Sequence, residues 1–222
     1  MDIFLTTSSK PSLQNRKRPT MYRFSSLLFL FISLSCQSQQ TKVGGPCQGC
    51  EAIYEYGNKS LNNIDTLPAF GTNPKLKLTG TVYKSDGKTP ASGVILYIYH
   101  TNREGIYPTK GNEEGWGQKH GFIRGWVKTD EKGSYTFYTF RPAAYPNRRA
   151  AEHVHITVKE PNKNEYYIDD FFFSDDPLLT KSVRDRLPER GGSGVLNLVK
   201  EGQFYIGKRD IILGKNIPNY EG

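Results

Sequence analysis

Four side chains stand out for the chemistry that their types and spacing allow. His153 and His155 form a His-x-His pair inside the alternating stretch His153–Lys159. On a strand, residues i and i+2 point to one face with roots about 7 Å apart, so two imidazoles can converge on one metal ion. Tyr145-Pro146 stands shortly before this pair, and Tyr107-Pro108 opens an irregular stretch farther upstream. A His-x-His pair alone is a weak signal, because chance or surface placement explains most of them. The order Tyr107, Tyr145, His153, His155 gives that pair a context that strengthens it.

Such a set needs a rigid frame, and the chain reads as strands. Leu76–Tyr83 alternates apolar and polar residues, and Ser85-Asp86-Gly87-Lys88 is a turn. Val94–His100 is a continuous β-branched and aromatic run, as expected of a buried central strand. Arg124–Thr129 and Ser134–Phe140 flank Asp130-Glu131-Lys132-Gly133, a hairpin signal. Tyr166–Phe173 is strongly aromatic, Val195–Val199 and Gln203–Tyr205 suggest another hairpin, and Ile211–Leu213 ends the pattern. Leu178–Leu187 is the best helical candidate, and it is short. The fold class is all-β, a β-sandwich with little helix. The long irregular stretches Gly105–Phe122 and Arg141–Glu152 would carry the site as loops on that scaffold.

At this point the chain resembles the intradiol ring-cleavage dioxygenases. The matching stretches are LTGTVYKSDGKTPASGVILYIYHTNREGIY and RGWVKTDEKGSYTFYTFRPAAYPNRRAAEHVHI, within about Leu76 to Asp176. The resemblance implies a non-haem Fe(III) held by Tyr107, Tyr145, His153 and His155. It implies cleavage by O₂ of a catechol-type ring between its two hydroxylated carbons, with Tyr145 helping to accept a proton. The partners it implies are a small aromatic diol and O₂. The family commonly places an Arg three residues before the first His to stabilise charge on the ring. Here that position is Ala150, and Arg149 or Arg148 would have to reach in instead. An acidic residue usual in the preceding strand is replaced, at Tyr97. The alternative is an exported binding module that keeps the fold or metal site without turnover.

Other residues carry open readings. Glu152 could orient a ligand or face solvent. His120 could line a pocket mouth or sit in solvent, and His100 reads as structural. Trp116 and Trp126 read as packing residues, Tyr135 and Phe137 as core, and Arg124 as either a substrate anchor or half of an ion pair. Asp169, Asp170, Asp175 and Asp176 lack calcium-loop spacing and read as solvated turn residues.

The N-terminus accounts for the charge. The chain has 222 residues and net charge +8. Half of that excess lies in residues 1–35, where Lys10, Arg16, Lys17, Arg18 and Arg23 precede the apolar run Phe24–Ser35. A basic flank and an apolar run too short to span a bilayer form an export signal, with Met21 a credible start. Cys36 then resembles a bacterial lipoprotein processing site, so a lipid there is the one expected membrane contact, against an ordinary signal peptide cut nearby. Residues 36–74 read as a polar tether with a Cys47-x-x-Cys50 segment, and 75–222 as the catalytic domain. For that segment a local disulfide is favoured over a redox dithiol or zinc site, because no thioredoxin-like pattern and no second cysteine pair surround it. Beyond residue 35 no basic stripe with interleaved aromatics exists, which argues against nucleic acid as a partner.

Overall fold

The computed structural model describes residues 42–147 and 149–221. The expected export leader, Met21, Cys36 and Arg148 lie outside the described residues.

Among the described residues, twelve strands form two mixed six-stranded sheets. They are β1 (Ile64–Thr66), β2 (Lys75–Tyr83), β3 (Ile95–Tyr99), β4 (Arg124–Lys128), β5 (Ser134–Phe140), β6 (His153–Lys159), β7 (Tyr166–Tyr167), β8 (Phe171–Phe173), β9 (Val195–Leu196), β10 (Val199–Glu201), β11 (Phe204–Lys208) and β12 (Ile211–Ile212). One sheet runs β1-β5-β2-β11-β10, with β12 also on β2. The other runs β4-β3-β6-β8-β9, with β7 also on β6.

Period-2 patterning explains most of this. In β2 every second residue is buried, and Leu76, Leu78 and Val82 enter the core between the sheets. From the facing sheet Leu96, Ile98, Val154, Ile156 and Phe171 meet them. Tyr135 and Phe137 belong to the same core, as their hairpin pattern implies. The turn at Gly133 has φ 68°, which glycine adopts without strain.

The central strand β3 is buried on both faces. Its second face, bearing Tyr97, packs with Trp126 against Ala52 and Ile53 of a 3-10 turn, Cys50–Tyr54. The Trp126 indole N–H donates to the Ala52 carbonyl at 3.2 Å. Residues expected to be a tether thus lie against this sheet, and Ile64–Thr66 adds a parallel edge strand to β5.

The C-terminal third departs from expectation. The aromatic stretch 166–173 is two short strands rather than one, broken where Asp169 turns inward to accept hydrogen bonds from the Glu189 and Arg190 amides at 2.9 and 3.0 Å. The first arm of the late hairpin is likewise split into β9 and β10. The expected helix shrinks to one turn, Lys181–Arg184, capped by Thr180.

His100 is structural and ties the sheets together. Its Nδ1–H donates to the Thr101 carbonyl at 2.7 Å, and its Nε2 accepts from the Thr139 hydroxyl of β5 at 2.7 Å. Burial pushes its pKa down to about 4. The folded value lies below the unfolded value of about 6.5, so this neutral imidazole contributes full stability above pH ~6.5 and loses it as pH falls toward 4. Stability against thermal unfolding should therefore fall across that window by up to about 1.4 kcal/mol per pH unit. His100→Gln should lower the melting temperature at neutral pH and flatten the slope. An unchanged slope would assign the effect to other groups.

Candidate metal centre

The site forms on the outer face of the second sheet, away from the sandwich core. In β6 the buried residues Val154 and Ile156 alternate with half-buried His153 and His155, so both imidazoles leave the core on one face. The two long loops bring the tyrosines. Tyr107 arrives on the stretch after β3, and Tyr145 on the stretch after β5.

The four donor atoms converge. Tyr107 Oη lies 2.5 Å from Tyr145 Oη and 2.8 Å from His155 Nε2. Tyr145 Oη lies 3.3 Å from the Nε2 atoms of both His153 and His155. The two Nε2 atoms are 3.1 Å apart. A first-row ion binds such donors at about 2.1 Å, which puts adjacent donors about 3 Å apart.

The protonation pattern fits a cation. His153 Nδ1 meets the Ala151 carbonyl at 2.6 Å, so it must donate. His155 Nδ1 meets the Asp170 carboxylate at 3.1 Å and donates there. Both Nε2 atoms then present lone pairs toward each other, an arrangement that favours a positive charge between them. Burial lowers the His153 pKa and raises those of Tyr107 and Tyr145. Tyr107 is raised further by its hydrogen bond to Tyr145. A bound cation would reverse the phenol shifts by favouring the ionised form.

Asp170 was expected in solvent but lies at the site. Burial alone would raise its carboxyl pKa, yet the electrostatic attraction and hydrogen bond of the His155 N–H hold it below the usual carboxylate range. His153, His155 and Asp170 lie close enough to share one ion. The Asp170 oxygen, however, faces Nδ1, on the opposite side of the ring from the phenols. It orients His155 rather than completing the donor set.

Strand register explains both residues that sequence reasoning passed over. β6 pairs with β8 so that His153 faces Phe172, which carries the chain to Asp170 beside His155. β3 pairs with β6 so that Tyr99 lies opposite His155, and the rings stack at 4.5 Å. Tyr99 also stacks on His120 at 3.8 Å. His120 is buried, with Nδ1 bonded to the Tyr97 hydroxyl at 2.8 Å, so it is neither a solvent-facing nor a mouth residue. Val94–His100 read as a continuous apolar and aromatic run, which gave no signal that Tyr99 faces the site.

The remaining candidates have structural partners. Arg124 pairs with Glu55 at 2.5 Å, and Trp116 stacks on His120 at 5.3 Å. Glu152 neither touches a ligand nor faces solvent freely, because it pairs with Arg141 at 2.6 Å. Asp176 is buried and accepts from the Glu152 and Leu178 amides at 2.5 and 2.8 Å, so with Asp169 and Asp170 it departs from the solvated-turn reading. Only Asp175 is exposed, and it pairs with Arg141. Arg149 is exposed on the Tyr145 loop.

Two clefts flank the donors. One, of about 280 Å³, is lined by Gln48, Cys50, Tyr99, Tyr167, His155 and Asp170. Its wall is the loop closed by the Cys47–Cys50 disulfide. Gly49 in that loop has φ 87°, and a Cβ there would lie 2.8 Å from His120 Nε2, so the loop seats tightly only with glycine. The second cleft, of about 380 Å³, adjoins Tyr145.

Comparison with known proteins bears on the family and the fold. A family model described as "Dioxygenase" matches residues 54–190. The protocatechuate 3,4-dioxygenase beta chain of Burkholderia cepacia is 27% identical over 154 residues, covering 63% of this chain and 64% of the relative. Catechol 1,2-dioxygenase 1 of Acinetobacter lwoffii is 35% identical over 86 residues, 38% of this chain and 26% of the relative. The chain thus spans less than two thirds of the length of these curated relatives. Among solved structures, the dioxygenase domain of a carbohydrate-binding fusion from Streptomyces sp. SirexAA-E shares the fold, with TM-score 0.52 and 21% identity over 71% of this chain and 91% of that one. The 3-chlorocatechol 1,2-dioxygenase of Rhodococcus opacus 1CP does so with TM-score 0.53 and 20% identity, over 79% and 72%. The family match takes in both loops and the strand that carry the phenol and imidazole donors, and the chain belongs to the intradiol ring-cleavage dioxygenase family.

Proposed function

We propose that this protein is a non-haem Fe(III) dioxygenase that cleaves a catechol-type ring between its hydroxylated carbons, using O₂. The observation that carries this reading is the convergence of two phenol oxygens and two imidazole nitrogens at 2.5 to 3.3 Å. Tyr107, Tyr145, His153 and His155 hold the iron. Fe(III) is hard and highly charged, so it favours anionic oxygen donors, and it makes a bound diol easier to ionise and its ring more electron-poor.

The chain's own groups supply the rest. Tyr145 Oη, in reach of three other donors, is the group placed to take a proton from a substrate hydroxyl. Asp170 and the Ala151 carbonyl hold the two imidazoles in the tautomer that offers Nε2. Tyr99, stacked between His155 and His120, holds the His155 ring in place. The charge-stabilising role on the ring falls to Arg148 or Arg149 of the Tyr145 loop. The Cys47–Cys50 disulfide and the leader in 1–35 support a location outside the cytoplasm, with Cys36 as the lipid anchor.

Protein purified after loading with ferric iron should show a broad visible absorption from tyrosinate-to-iron charge transfer. It should take up one O₂ per catechol consumed. A folded protein that stays colourless with excess ferric iron would sink the metal assignment. Colour without oxygen uptake across a panel of diols would leave the non-catalytic binding module as the function.

A further inference from the structure

A histidine ring turns in a broad torsional well, so its own side-chain bonds do not fix its tilt. For His155, the Asp170 carboxylate holds one edge through Nδ1 at 3.1 Å. The tilt is left to what lies on the ring's face, which is Tyr99, at 4.5 Å and 26° between planes. Tyr99 also meets the Tyr107 ring at 5.7 Å, so one side chain touches two of the four donors. Tyr99 is backed in turn by His120, nearly parallel at 3.8 Å and 7°. Behind His120 stand the Trp116 ring at 5.3 Å and the backbone of Gly49, where a Cβ would lie 2.8 Å from Nε2. An unbroken column therefore runs from the Cys47–Cys50 loop to a metal-binding imidazole. The loop end of the column is anchored. The disulfide closes it, buried Cys50 accepts a hydrogen bond from the Thr157 hydroxyl of β6 at 3.8 Å, and Ala52 and Ile53 pack on Tyr97 and Trp126. These residues precede the family match, which begins at residue 54.

We propose that His120 is a positioning residue for the metal centre, wedged between the disulfide loop and Tyr99 so that the seating of the loop fixes the His155 ring. A segment outside the family match thereby sets how tightly this chain holds iron. This rests on the iron-binding reading above. Close-packed side chains do not compress, so a shift at Gly49 must pass along the column or be relieved by parting it. His120 touches neither the ion nor a donor, and it acts through Tyr99 alone.

The test uses the full chain loaded with ferric iron. Three quantities are read for each variant: ferric affinity by competition with a chelator, the position of the tyrosinate-to-iron visible band, and the melting temperature. His120→Asn keeps a hydrogen-bonding group for the Tyr97 hydroxyl and removes the ring. It should weaken iron binding by about tenfold, the order expected when a group that orients a ligand is lost, and should move the band. His120→Phe keeps a stacking ring and removes the hydrogen bond, and should stay close to the unaltered protein in both. Gly49→Ala should reproduce the effect of His120→Asn, whereas Gly45→Ala should not, because Gly45 shares the positive φ at 71° with nothing within 4 Å of a new Cβ. Should His120→Phe fail to fold, the two glycine variants decide alone. An unaltered affinity and band in His120→Asn and Gly49→Ala, with only the melting temperature lowered, would overturn the inference and leave His120 a packing residue. Equal losses in His120→Asn and His120→Phe would overturn the stacked route. If the unaltered chain itself stays colourless with ferric iron, the iron reading falls, and this inference with it.

Discussion

His155→Ala should abolish iron loading, with occupancy after ferric reconstitution falling to background and the visible band absent. The substitution removes one of four donors, and the loss spreads. Tyr107 Oη and Tyr145 Oη both lose a neighbour at 2.8 and 3.3 Å. Asp170 loses its only ion-pair partner among the described residues. Tyr99 loses a stacked ring at 4.5 Å. Removing a residue that merely orients a ligand costs about 10–100-fold in metal affinity, so losing a ligand together with its oriented carboxylate should exceed that. The fold should survive, because His155 is half-buried on the outer face and contributes nothing to the core between the sheets. Metal analysis alongside a melting curve separates the two effects. Full iron occupancy in a folded His155→Ala protein would refute the ligand assignment.

Gly105→Ala should weaken iron binding by tenfold or more without removing any donor. Gly105 has φ 76°, in the region where a side chain is strained. A Cβ there would run into the Ala144 carbonyl oxygen and lie 3.2 Å from Pro146 Cδ. These two residues flank Tyr145, and Gly105 itself lies just before Tyr107. The loops are stitched at this spot, since the Ala143 amide donates to the Asn102 carbonyl at 3.1 Å and the Thr101 hydroxyl to the Ala143 carbonyl at 2.7 Å. Relief of the clash must part the loops, and with them the phenols now 2.5 Å apart. The fold should lose about 1–3 kcal/mol. Gly111→Ala is the control. Its φ is 92°, but nothing lies within 4 Å of a new Cβ, so it should carry backbone strain and leave iron binding unchanged. Equal iron affinity in Gly105→Ala and Gly111→Ala would show that the loops do not depend on this contact.

Much of this was legible before any coordinates. The strands β5 and β6 have the bounds that alternation predicts, because period 2 is imposed by the backbone itself. The same alternation put His153 and His155 on one face. The four candidate donors were named in order along the chain by the family resemblance. Less legible was any element whose stability comes from distant partners. The strand Ile64–Thr66 has one buried residue and no pattern of its own, and it exists because β5 offers an edge. Asp169 and Asp176 look like solvent-facing turn acids, yet each is buried accepting backbone amides from another segment.

By itself, then, the sequence determined the fold class, because that follows from local periodicity, and its family resemblance named the candidate donors. Only the tertiary structure decided what surrounds the donors. Tyr99 and Asp170 flank His155 through the registers of β3 and β8 on β6, and register is set by which residues fill the core, not by the strands alone. The covering of the cleft by the Cys47–Cys50 loop was decided the same way, by the fit of Ala52 and Ile53 against Tyr97 and Trp126.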